Sequence, residues 1–493
     1  MQTIAVRLRF FFYFRATHLN KDTMKNLYKL LFIAAFMLLS GTSSMAQFTV
    51  SGEFRPRAEY RDGYTKLRDS TQTGYGDILG RARIIFDYKN DKFTTRFSLQ
   101  HAFVFGENNF YNSDTIKNNT VNIFEAWVKY NFLSNFSIRV GRMTISYDDQ
   151  RLIGYNNWRP QGSSHDLVGF QWGATKARYQ GDFSFAINNA SPAGAFLSDY
   201  YLKNYKYMSY LWNQKSFFKD MLKISVMGII DAFQLPTQYK KVTTKDTLWV
   251  YNDKDSIIGR TIQTTTSQVP ITNPNQIYAR FTVGGNVWFN WKNLGIWAGG
   301  YYQGGHIQDG REVAANFYGG NVSYQIVKPF KLMAGYEHLS GTDNDPAKKA
   351  DVAKKVTSFN VLYGTNHQLY GYMDLFNSML TTSYNHPGLN QIYARGTVNF
   401  SQVTSLEATW RYFSFDQEYL TNGTKVKKNL GSELDLMFLY KPVPNVELNA
   451  AYCYFFPTST MESFDGLKSP VRGSQYVYLM ITYKPKFFST EKN

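Results

Sequence analysis

Ser163-Ser164-His165-Asp166 places hydroxyls, an imidazole and a carboxylate side by side, the ingredients of nucleophilic hydrolysis. Neighbours along a strand point to opposite faces, so these four cannot assemble a triad. His165 and His367 therefore read as structural. The seven histidines show no HxxxH or HExxH spacing, and Cys453 is the only cysteine, which excludes an internal disulfide and a cysteine metal site. Asp253 and Asp255 lie in an acidic loop without the regular oxygen-ligand spacing of a calcium site. Neither a metal nor a cofactor is expected. What recurs instead is arginine, at Arg55, Arg57, Arg81, Arg83, Arg96, Arg139, Arg142, Arg280 and Arg411. Guanidinium stays charged and offers a planar fork to carboxylate or phosphate, so the chemistry indicated is anion recognition. Glu53, Glu59, Asp87, Glu125, Glu433 and Asp435 share the same faces. Cross-strand pairing among these charges is the competing use.

The elements that carry these residues follow one pattern. In FTVSGEFRPRAEYR, Phe48, Val50, Gly52, Phe54, Pro56, Ala58 and Tyr60 alternate with Thr49, Ser51, Glu53, Arg55, Arg57, Glu59 and Arg61. Period-two alternation is the mark of a β-strand with one apolar and one charged face. The pattern returns around Ile84, Phe97, Val128, Trp410 and Leu436, and in the last strand, where Val477, Leu479, Ile481 and Tyr483 form one face. Eight short turns alternate with nine long polar loops. The expectation is an all-β fold, a single transmembrane antiparallel barrel of about 18 strands, with short periplasmic turns and long outer loops. Phe86, Val128 and Leu479 should face lipid, and Arg83, Arg96 and Arg411 a wet lumen. Residues 340–388 are expected to form one long loop.

Met24, Lys25, Lys29, the apolar run Leu30–Leu39 and Ser44-Met45-Ala46 have the anatomy of a secretory signal. Residues 1–46 are thus expected to be a signal region. The peptide proper spans 24–46, behind a start-site extension at 1–23, and the barrel runs over 47–493. The alternative is one long signal from Met1. No other stretch is long and apolar enough for a spanning helix, and lipid then admits only a closed barrel. Aromatic residues make up 17% of the chain, which suits girdles at the membrane interfaces. The formal charge is +17, and the first 46 residues carry six Lys/Arg and one Asp, so the remainder keeps +12. In an exported barrel such a surplus favours anionic solutes over nucleic acid.

Two segments resemble a known family. Gly141–Trp172 reads GRMTISYDDQRLIGYNNWRPQGSSHDLVGFQW, with Asp148, Asp149, Arg151, Trp158, Arg159, His165 and Asp166 at the motif positions. Phe359–Phe376 reads FNVLYGTNHQLYGYMDLF. Both are similar to the alginate-export outer-membrane barrels, in particular the branch found in Bacteroidetes-type bacteria. The resemblance implies a porin of the bacterial outer membrane that passes a carboxylated saccharide or another anionic or polar solute. Implied partners are outer-membrane lipid and lipopolysaccharide, the barrel-assembly machinery that reads the aromatic last strand, and the solute itself. A non-transporting surface-interaction barrel and, remotely, an outer-membrane hydrolase are the alternatives. Asp148 or Asp149 is expected to pair with Arg151 or Arg159 near Trp158, bracing its loop, with folding inward to narrow the pore as the alternative, and Phe359–Asp374 to be ordered. Changing Arg55, Arg83 and Arg96 together to Gln should move the reversal potential toward cations.

Overall fold

A computed structural model describes residues 46–491 apart from 107–120, 175–177, 189–204, 235–238, 252–256, 271–275, 346–353, 422 and 472. The signal region and Asp253 and Asp255 lie outside the described residues. Eighteen antiparallel strands close into one barrel. β1 runs Gln47–Phe54 and resumes as Arg57–Asp62 across Pro56, which has no N–H to donate to the ladder. Then follow β2 (Tyr75–Lys89), β3 (Phe93–Val104), β4 (Asn122–Leu133), β5 (Phe136–Met143), β6 (His165–Ala174), β7 (Tyr179–Ile187), β8 (Tyr207–Phe217) and β9 (Leu222–Gln234). The second half comprises β10 (Ile277–Trp291), β11 (Leu294–His306), β12 (Glu312–Val327), β13 (Phe330–Leu339), β14 (Leu389–Asn399), β15 (Thr404–Ser414), β16 (Asn429–Val443), β17 (Val446–Pro457) and β18 (Ser474–Tyr483). Each strand pairs with its neighbours in sequence. Closure comes from β18 on β1, with Leu479 opposite Ala58 and Phe54 opposite Tyr483.

The expected faces hold. Phe54, Tyr60, Ile84, Val128, Trp410, Leu436, Leu479 and Ile481 are exposed on the outside. Phe86 belongs to that surface, with its ring 6.3 Å from the outward Phe97. Glu53, Arg55, Arg57, Glu59, Arg81 and Arg411 point inward and are buried. An arginine at outward Leu479, 51% exposed, meets lipid with no partner. Leu479→Arg is therefore expected to cost about 2–4 kcal/mol of barrel stability, read from equilibrium unfolding in vesicles.

The inner face differs from expectation in one respect. It is not polar throughout. Tyr210, Trp212, Met227, Ile229, Trp297, Phe317, Phe413, Phe455 and Tyr476 are buried on it. The reason is that two long loops fold into the barrel and bring apolar side chains needing an apolar wall. Other long loops carry structure that their polar composition concealed: a hairpin pairing Tyr239–Tyr251 with Ile257–Pro270, a short one pairing Tyr419–Thr421 with Thr424–Val426, and one helical turn and a half at Ser459–Phe464.

Candidate solute passage and its inward loops

The first inward loop, residues 144–164, leaves β5 and crosses the interior. The second, residues 340–388, connects β13 to β14. It holds the two-residue strand Lys355–Val356, parallel to β12, and the helix Asn377–Thr382. The second loop is driven inward by its own apolar residues. Phe359, Val361, Met373, Phe376 and Leu380 are all fully buried, each worth about 1.5–3 kcal/mol relative to exposure. His386 is buried with them, and burial pushes its imidazole down to about 4. In its neutral form it donates from Nε2 to the Phe359 carbonyl and accepts the Gly388 N–H at Nδ1.

The two loops are stitched to each other. Ile153 and Tyr363 form a parallel bridge, flanked by Gly154 N–H to Tyr363 O at 3.0 Å, Tyr363 N–H to Leu152 O at 2.9 Å and Thr365 N–H to Gln150 O at 2.8 Å. Gly364 makes the approach possible, because a Cβ there would stand 2.1 Å from the Arg151 carbonyl oxygen. Asp148, Gln150, Asn156, Leu362 and Asp374 adopt left-handed backbone in these loops, a conformation that costs non-glycine residues and tends to gather at functional segments.

The wall arginines hold these loops. Arg55 has no ion pair among the described residues and donates to the carbonyls of Asn157 at 2.6 Å, Trp158 at 3.2 Å and Arg159 at 3.3 Å. Arg57 donates to the Trp158 carbonyl at 2.7 Å and pairs with Glu59. Arg81 pairs with Glu53 and donates to the Asn157 side chain at 2.8 Å. Arg83 donates to Gln100 at 2.6 Å and lies 3.8 Å over the Phe124 ring. Trp158 is sandwiched between Arg57, 3.7 Å from its centroid, and the His367 ring at 3.9 Å. That stack joins barrel wall, first loop and second loop.

The remaining arginines are mostly paired. Arg96 meets Asp87 at 2.7 Å, Arg139 meets Asp182 at 2.7 Å, Arg142 meets Asp166 at 2.8 Å, Arg280 meets Asp231 at 2.5 Å, and Arg411 meets Asp435. Asp231 and Arg280 are direct cross-strand partners of β9 and β10, and Tyr363 of the second loop donates to Asp231 at 2.7 Å.

Several expectations are corrected here. Arg55, Arg57, Arg81, Arg280 and Arg411 are at most 4% exposed, and their guanidinium groups are taken up by carboxylates or loop carbonyls, so they order loops and wall. The loop at 144–164 does more than brace itself, because it folds inward and narrows the interior. Asp149 does pair with Arg151, at 2.9 Å, but away from Trp158, whose cation is Arg57. Arg151 lies 4.2 Å over the Phe317 ring and binds Glu337 at 2.9 and 3.2 Å and the Tyr370 hydroxyl at 3.0 Å. Asp148 pairs with no arginine among the described residues. It accepts from Trp212 and Asn286, both at 3.1 Å, and burial raises its carboxyl above the usual range. Arg159 is exposed and offers the loop's carbonyl, not its guanidinium, to the wall. Glu337, Asp231 and Gln303 were missed as loop anchors. Their only signal was an inward position in alternating strands.

Open space remains on both sides of the loops. Toward the long-loop end lies a cavity of about 1020 Å³ bordered by Arg142, Arg159, His165, Asp166 and Asn366. Toward the short-turn end lie cavities of about 760 Å³, with Lys129 and Lys223, and about 330 Å³, with Lys331 and Arg395.

Residues 46–216 match the family described as alginate export. The match includes the first motif, and the second lies beyond it. No curated protein matches the chain. Solved structures similar in fold include Acinetobacter baumannii OccAB1 (12% identity, TM-score 0.55, 90% of this chain and 97% of that one). Pseudomonas aeruginosa OccK9 (11%, 0.55, 89% and 98%) and OccD3 (12%, 0.54, 90% and 92%) are similar as well. The chain is an outer-membrane β-barrel of bacteria, with its apolar outer face against lipid.

Proposed function

We propose that the protein is a passive outer-membrane channel for small polar or anionic solutes, narrowed by its two inward loops. The observation that carries this reading is a closed barrel whose cavities, above and below the loops, are bordered by cationic side chains. Arg159 stands on one side and Lys129, Lys223 and Lys331 on the other, none of them ion-paired among the described residues, while Arg142 and Arg395 are matched by Asp166 and Glu407. A low-dielectric wall focuses such charge and raises the local concentration of anions. The family resemblance supports a carboxylated saccharide as solute and no enzymatic step. Residues 1–46 serve as the export signal, and the aromatic β18 is the segment offered to the assembly machinery, in a leaflet of lipopolysaccharide. The test is the reversal potential of single channels under a potassium chloride gradient. It is expected to show anion preference that shrinks as salt rises and screening takes hold. Cation preference, or no conductance even after the loops are loosened, would favour the surface-interaction reading instead.

A further inference from the structure

With the wall arginines committed to loops, the selective groups of the passage must lie elsewhere. Asn366 borders the large cavity at the long-loop end, is 4% exposed, and has no protein partner for either its amide nitrogen or its amide oxygen. His165 and His367 border the same cavity. Each has Nδ1 engaged, by the Tyr205 hydroxyl at 2.6 Å and by Asp374 at 2.9 Å, which orients the ring, and each leaves Nε2 without a partner. Charge at this cavity is largely cancelled. Arg142 and Asp166 neutralise each other at 2.8 Å, and Asp374 is engaged by His367 and Tyr64. Arg159 is the cation left without an ion pair among the described residues.

We infer that this cavity is a recognition site for a polyhydroxylated solute, read by the neutral hydrogen-bonding groups of Asn366, His165 and His367 rather than by the arginines. An amide supplies a donor and an acceptor together, and an imidazole nitrogen serves as either according to its tautomer. A sugar hydroxyl is their complement, since it too donates and accepts. A buried polar group without a partner rejects solutes that cannot satisfy it and rewards those that can. The volume, about 1020 Å³, is at the upper end for small-molecule sites. The inference rests on the channel reading and names the substrate class of its outer cavity.

The test is calorimetric titration of the full barrel in detergent with D-glucose, D-glucuronate and propionate, which needs no conductance. Its failure is therefore distinct from failure of the channel reading, which the bilayer recordings decide. Glucose and glucuronate are expected to bind within about threefold of each other, and propionate about tenfold more weakly. Asn366→Leu should weaken both sugars about tenfold, the loss expected for one or two hydrogen bonds. His165→Phe, which keeps a ring against Tyr205 but removes Nε2, should weaken them as well and decides the matter should Asn366→Leu fail to fold. Undetectable glucose binding, or glucuronate and propionate binding alike, would overturn the inference in favour of charge recognition. So would sugar affinities unchanged in the folded variants.

Discussion

Changing Arg55 and Arg57 together to Gln is expected to raise single-channel conductance severalfold while the barrel stays assembled. These two side chains make four charge-assisted bonds to the carbonyls of residues 157–159, and Arg57 also lies 3.7 Å over Trp158. Hydrogen bonds to charged groups are worth about 1.5–3 kcal/mol each, before Gln recovers some. A desolvated cation–π contact adds about 2 kcal/mol. Their loss removes several kcal/mol from the inward state of the first loop. The wall is left without an orphaned charge, since Glu53 keeps Arg81 and Glu59 keeps Arg61. Strand pairing is untouched, so the folded band on an unheated gel should persist. Conductance equal to that of the unaltered protein would show that the loop is held inward by its other contacts. The same geometry changes what Arg55→Gln/Arg83→Gln/Arg96→Gln would report, because one of those three acts on the loop and not on the solute.

Arg151→Met should be the most destabilising single change in the interior. Arg151 is 2% exposed and holds Asp149, Glu337 and Tyr370 at once. Removing one member of a buried ion pair strands its partner, at about 3–5 kcal/mol. Glu337 is 3% exposed and, among the described residues, keeps only Gln391 as a donor at 3.1 Å. Both inward loops should then open. Amide exchange across residues 144–164 and 356–386 would quicken, while β1–β18 stay protected. Glu337→Met added to Arg151→Met should recover most of the protection, because two apolar side chains replace a buried pair at little net cost. Equal exchange in the single and double variants would show that the Glu337 charge is not the source of the loss.

Strand-level structure was legible because it is local. Glu53, Arg55 and Arg57 had to share a face opposite Phe54 and Ala58 once the segment was a strand, and the rhythm of short turns and long loops was enough to count eighteen strands and close them. The cationic character of the interior followed from the same alternation. Where each charge was spent did not follow. Arg151 meets Glu337 across 186 residues and Tyr370 across 219, and Trp158 meets His367 through a loop that could equally have stayed outside. The period-two signal says that a side chain points inward but not what fills the inside. Phe359, Phe376 and Leu380 have no such period, so their burial depends on the apolar wall formed by Phe317, Phe413 and Phe455 on three separate strands. Arg55 and Arg142 look alike in the sequence. Only the path of the first loop makes Arg55 a buried clasp on backbone carbonyls and leaves Arg142 at the edge of an open cavity.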